Sequence, residues 1–206
     1  SEETIYNHEK FEIEKIKGVS LSHLYLDQLV TGDFLLDFLS NLSRIHESPC
    51  NEGISEIDIY ANYARKVSSR FESYDYSKFA KSDRVYEKII AGLEKYEKEN
   101  QGERSVIHGD PVFTNIIVKE NQDFCFIDMR GEIDGHYTIQ GDIWYDYGKV
   151  LQSLLGYDEI LLGKYVEQEY KNELIGVLKN YIEEKFDSDR WEKVKLISSS
   201  LIFSLI

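Results

Sequence analysis

Apolar residues recur along this chain with two different periods, and the change of period divides it into elements. Between 31 and 46 they fall at Phe34, Leu35, Phe38, Leu39, Leu42 and Ile45, one stripe of a helix. Thr31-Gly32-Asp33 opens that helix, and it ends near residues 46–48, ahead of Pro49. Ser55 with Asp58 resembles a capping arrangement for a second helix carrying Tyr60, Tyr63, Val67 and Phe71 on one face. A third is predicted over 82–100, burying Val85, Ile89, Leu93 and Tyr96 and turning a Lys/Glu-rich side to water. Gly141-Asp142 opens another through Trp144, Tyr147, Val150, Leu151 and Leu154, closed by Gly156. Two more are predicted around 171–186 and from Asp189 onward. The last apolar run, Leu201-Ile202-Phe203, reaches Ile206 without a cap, the pattern of a trimmed chain.

Period two appears in fewer places. Residues 11–17, F-E-I-E-K-I-K, alternate apolar and charged and predict a half-exposed strand ended by Gly18. A short strand follows at 105–107, and 131–140 reads as an irregular loop. The apolar runs 116–118 and 124–127 flank polar residues 119–123, the signal for a hairpin. Pairing Val118 with Cys125 would place Asn115 opposite Asp128, with Cβ atoms about 5 Å apart. Asp110 lies just upstream on a loop held by Gly109 and Pro111. Three oxygen-bearing side chains converging on one spot predict a hard-cation site, most naturally Mg²⁺. The whole reads as one α+β domain over 1–206, mostly helical, with a small antiparallel hairpin set among the helices.

Composition narrows the partners. With 206 residues, 42% hydrophobic and 30% charged, the chain can bury a sizeable core as a globular protein. A net charge of −14 argues against nucleic acid or anionic lipid, which need Lys/Arg patches. No stretch approaches the ~20 apolar residues of a membrane span. The start of the sequence is acidic without a signal-peptide core, and Cys50 and Cys125 make no disulfide framework, so a reducing cytoplasm is expected.

His108-Gly109-Asp110, Asn115 and Ile127-Asp128 resemble the H-G-D-x-x-x-x-N loop and I-D hairpin end of the protein-kinase-like superfamily, in its aminoglycoside phosphotransferase and choline kinase branch. The steps from Asp110 to Asn115 and from Asn115 to Asp128 both fit. Weaker matches are similar to further family features: residues 11–18 to the hinge strand, Leu42-Ser43-Arg44-Ile45-His46 to an L-x-x-L-H helix end, and Asp142 to Tyr147 to a D-x-x-x-D-L helix start. D-M-R-G followed by G-D-I-W-Y-D is reminiscent of kinase-like domains encoded with bacterial capsule and surface-polysaccharide pathways. The resemblance implies a C-terminal lobe that uses ATP and Mg²⁺ to phosphorylate a hydroxyl of a small molecule. A G-x-G-x-x-G loop, a Walker-type loop and a V-A-I-K-like lysine are all missing from these residues, so the N-terminal lobe is expected to lie outside them, and no nucleotide-binding residue is assigned.

By the same resemblance, Asp110 is the catalytic residue that orients the acceptor hydroxyl or takes its proton, and Asn115 and Asp128 hold Mg²⁺. Asp146 would brace the catalytic loop by accepting backbone N–H bonds, with Asp142 as an N-cap. His108 is expected to make a structural hydrogen bond to that loop, and His46 to be a satisfied helix-end histidine. His136 is read as a surface residue. Arg130 either neutralises an anionic substrate or phosphate or pairs with a nearby acid. The tyrosines at 60–63 and 74–76 read as packing residues, and Cys125 as no nucleophile. Two competing readings stay open: a kinase-like binding module without catalysis, and a metal-dependent hydrolase using Asp110, Asn115 and Asp128.

Overall fold

The computed structural model describes residues 14–50 and 57–205. Its order is β1 (Val19–Ser20), α1 (Leu21–Leu26), α2 (Gly32–His46), α3 (Ala64–Ser73), α4 (Ser82–Lys98) and β2 (Arg104–Val106). A 3₁₀ turn (Phe113–Asn115) leads into β3 (Ile116–Val118), β4 (Phe124–Phe126), β5 (Glu132–Ile133), β6 (His136–Tyr137) and β7 (Gln140–Asp142). The chain then turns helical through α5 (Ile143–Leu154), α6 (Tyr157–Leu162), α7 (Gln168–Lys185) and α8 (Arg190–Phe203). The architecture is α+β and mostly helical. Among the described residues the strands form three small antiparallel sheets, ordered β1-β3-β4, β2-β7 and β5-β6.

Helix α5 is the axis of the molecule. Every one of its residues except Lys149 is buried, and its N-cap Asp142 accepts a hydrogen bond from Trp144 N at 3.2 Å. Its broadest helix–helix contact is with α8. They approach closely because Gly148 has no side chain: a Cβ there would stand 2.7 Å from Ile197 Cγ2. Helix α2 packs on α7 and is capped by Thr31, whose hydroxyl accepts from Phe34 N at 3.2 Å. Phe38 of α2 stacks on Phe126 (centroids 5.8 Å, planes at 18°) and meets Phe124 and Phe113 edge-on. That contact clamps the hairpin onto the helical body.

Several expectations need correction. The hairpin register runs Ile116↔Phe126, Ile117↔Cys125 and Val118↔Phe124, one residue away from the pairing of Val118 with Cys125. Asn115 therefore faces Ile127, whose N–H donates to Asn115 O at 3.0 Å, and Asp128 comes one residue later. The reason is facial: Ile116, Val118, Phe124 and Phe126 all pack on the core, and a one-residue slip would oppose core-facing to outward residues. A three-residue loop with Gln122 left-handed (φ 65°) sets that register.

Segment 131–140 is no irregular loop. It holds the β5/β6 ribbon, turned at Asp134 (φ 51°) and Gly135 (φ 79°), two successive positive φ values that suit a tight hairpin. Arg65 ties that ribbon down, reaching Asp134 at 3.2 Å and Asp58 at 3.3 Å. Of the strand expected at 11–17, residues 11–13 lie outside the described residues and 14–17 carry no strand. The pairing there begins at Val19, opposite Val118. Ser55 also lies outside the described residues. The second helix starts at Ala64, after Asp58 has instead accepted Tyr60 N in a turn at 2.9 Å. Val85 is exposed, while Ile89, Leu93 and Tyr96 are buried. Two six-residue helices, α1 and α6, go beyond the expected elements.

Candidate active site

The loop from Ile107 to Asn115 connects β2 to the hairpin and is held at both ends. Ile107 N donates to Ile139 O at 2.9 Å, and Phe113 N donates to Ser153 Oγ of α5 at 3.0 Å. Between these anchors, Asp146 accepts from His108 N at one oxygen and Gly109 N at the other, both at 2.8 Å. Asp146 is fully buried and sits in the first turn of α5, so a helix buried at all but one of its residues sets the loop's position. The same carboxylate oxygen that receives His108 N lies 3.0 Å from Nε2 of His46, which ends α2. His46 thus belongs to the brace, a role beyond that of a satisfied helix-end residue. The helix-end match at 42–46 is the one sequence signal for it.

Gly109 adopts φ +82°, a left-handed conformation that favours glycine, and a Cβ there would come within 2.7 Å of Arg130 Cβ. The turn delivers Asp110 to the surface of the loop. Asn115 Nδ2 donates to Asp110 O at 3.0 Å and to Asp110 Oδ2 at 3.3 Å. The other carboxylate oxygen, Oδ1, pairs with Lys149 Nζ at 3.0 Å. Sequence reasoning misses Lys149; its one signal is its place in the turn of α5 following Asp146, on the same face. Burial pulls its ammonium down, but Tyr145 and Asp110 outweigh that and leave it above its ordinary value.

His108 is buried, and its Nδ1 accepts Asp110 N at 3.2 Å. Burial lowers its pKa against the opposing pull of Asp146, Asp110 and Asp128, so it stands as a neutral imidazole within electrostatic reach of all three acids. Asp128, after β4, is exposed and adopts φ 56°, a costly conformation for a non-glycine residue that recurs at functional sites. No described residue donates to or pairs with its carboxylate. Arg130 N donates to His108 O at 2.9 Å, which closes the hairpin end onto the loop. His136 is exposed on the ribbon.

Among the described residues no group of three His, Cys, Asp or Glu side chains could hold a metal ion. One amide oxygen and one free carboxylate, from Asn115 and Asp128, fit a different role. With Nδ2 turned to Asp110, Asn115 keeps its oxygen available, and Mg²⁺ commonly takes one or two protein ligands plus phosphate oxygens and water. The donor set suits a cation that arrives with phosphates.

No family model matches the chain, and no curated protein matches it in sequence. The similarity lies in the backbone. Ethanolamine kinase from Plasmodium vivax superposes over 92% of this chain with a TM-score of 0.55 at 15% identity. The fold is kinase-like. The chain spans 55% of the length of that ethanolamine kinase. Choline kinase LicA from Streptococcus pneumoniae aligns over 91% of this chain and 69% of its own, with a TM-score of 0.46 at 17% identity. No helix among the described residues of the kinase-like chain is long and apolar enough to cross a membrane.

Proposed function

We propose that this chain is the C-terminal lobe of an ATP- and Mg²⁺-dependent phosphotransferase acting on a hydroxyl of a small molecule, a sugar, amino-sugar or amino-alcohol. The kinase named for ethanolamine favours the amino-alcohol among these, and the D-M-R-G and G-D-I-W-Y-D segments favour a place in surface-polysaccharide synthesis. The observation that supports the reading most is the Asp146 brace. It fixes the His108–Gly109 amides so that Asp110, Asn115 and the hairpin end share one neighbourhood in a kinase-like fold.

Phosphoryl transfer asks for positioning and charge neutralisation more than for covalent chemistry. Asp110 accepts the hydroxyl proton as the acceptor oxygen bonds to the γ-phosphorus and ADP departs. Asn115 and Asp128 would hold Mg²⁺, which supplies neutralisation of the phosphate charge. His108, neutral and bonded to Asp110 N, sets the loop's shape and takes no proton.

In the full-length protein with ATP and Mg²⁺, Asp110→Ala should lower transfer by roughly 10²–10⁴-fold with nucleotide affinity nearly intact. Undiminished turnover removes Asp110 from the chemistry. Asp128→Ala should weaken Mg²⁺-dependent nucleotide binding, and an unchanged titration retires that assignment.

A further inference from the structure

Arg130 is an unusual charge for its place. Its guanidinium lies 4.9 Å over the ring of Tyr145, a buried residue in the first turn of α5. It is wedged against two glycines: a Cβ on Gly109 would stand 3.1 Å from Arg130 Nε, and one on Gly141 would stand 3.4 Å from Nη2. Nη1 is buried and has no hydrogen-bond partner. Among the described residues no carboxylate lies within ion-pair distance of this arginine, in a chain whose net charge is −14. The sequence leaves two partners open, a protein acid or an external anion; the first has no candidate among the described residues.

Arg130 is half-buried, with Nη1 shut off from water and no carboxylate partner, and one aromatic face returns only part of the hydration it has lost. The counter-charge is therefore to be sought in a ligand. The location says which part of a ligand. Lys149, which holds Asp110 Oδ1, lies 5.7 Å from the same Tyr145 ring, so Arg130 and the partner of Asp110 share one side chain. Arg130 follows Asp128 by two residues, and its side chain lies over Tyr145 and against Gly109 and Gly141, the side of the loop where Lys149 meets Asp110.

We infer that Arg130 forms an anion subsite on the acceptor side of Asp110, one that takes a phosphate or carboxylate group carried by the molecule being phosphorylated. This rests on the phosphotransferase reading and narrows it: among the sugars, amino-sugars and amino-alcohols of that reading, the acceptor is one that also carries a negative group. Arginine suits the task because its fork offers two parallel donors to either oxyanion.

The test titrates inorganic phosphate into the full-length protein with a non-hydrolysable ATP analogue and Mg²⁺ at saturation. Phosphate should bind the wild type, bind Arg130→Gln at least tenfold more weakly, and bind Arg130→Lys within about threefold of wild type. Equal affinity for wild type and the glutamine variant overturns the subsite. Phosphate that binds only when the analogue is left out occupies the nucleotide's place and overturns the acceptor assignment. Should the glutamine variant fail to fold, the Arg130 Nε–H resonance of the wild type decides: it must shift on phosphate addition, and a fixed resonance overturns the proposal. Asp110→Ala separates the two levels. Phosphate bound at Arg130 in a protein whose transfer ignores that substitution leaves the subsite standing and removes the phosphotransferase reading.

Discussion

Asp142 and Asp146 lie one helical turn apart at the start of α5, both buried, and they do different work. Asp142 gathers the scaffold: Tyr63 and Tyr96 donate their hydroxyls to Oδ2 at 2.7 and 2.6 Å, and Glu103 N and Trp144 N donate to Oδ1 at 3.0 and 3.2 Å. Asp146 receives the backbone of the 107–115 loop and faces His46. Burial pushes the Asp142 carboxyl up, and its four donors pull it back without cancelling that push. The same side chain at two adjacent turns thus ties helices together in one case and holds the loop that carries Asp110 in the other. What separates them is the identity of the donors.

That contrast can be broken most sharply at Asp146. Asp146→Asn presents an amide NH₂ to one of two N–H donors, so the loop loses a bond worth about 1.5–3 kcal/mol and shifts. Transfer should fall at least about 10²-fold, since small misplacements near the chemistry have that effect. A variant with wild-type turnover would show that the brace does not aim the loop.

Removing one donor on the other side should act on stability alone. Tyr63→Phe or Tyr96→Phe leaves Asp142 one hydrogen bond short and should cost about 1–3 kcal/mol in denaturant unfolding, with turnover unchanged. A large activity loss in either would erase the division of labour between the two acids.

The smallest effect sharpens the comparison by its sign. Asp158 of α6 is fully buried, and neither carboxylate oxygen receives a hydrogen bond of ordinary geometry, although Ser22 and Ser153 lie close enough to ease it. Burial raises its pKa above the ordinary 3.8. Its favourable contribution is therefore complete below that value and is lost as pH rises through the raised one. Asp158→Asn, neutral throughout, should match wild type near pH 4 and melt higher at pH 8, by roughly 2–4 °C per kcal/mol relieved. A lower melting temperature at pH 8 would mean the acid has a cationic or donor partner.

Much of this architecture is legible in the amino-acid sequence. The helical stripes of α2, α4 and α5 rest on period and caps, and the kinase-like fold on the spacing of Asp110, Asn115 and Asp128. The hairpin register is not legible, because Gln122 occupies a left-handed position usually marked by glycine. Conversely Asp134-Gly135 does carry a hairpin signal, but its flanks are too short and polar to show the alternation of a strand. Helices α1 and α6 are likewise too short to show a period. The Lys149–Asp110 pair and the lone guanidinium of Arg130 depend on which distant groups meet, and no local pattern encodes that.

The missing side chain at Gly148 has a reach well beyond its own contact. Because the loop that carries Asp110 hangs from α5 and α5 nests against Ile197 of α8, a methyl group added at Gly148 would act as a shim between two beams. The site's alignment is thereby set partly from the molecule's far flank, by a gap one carbon atom wide.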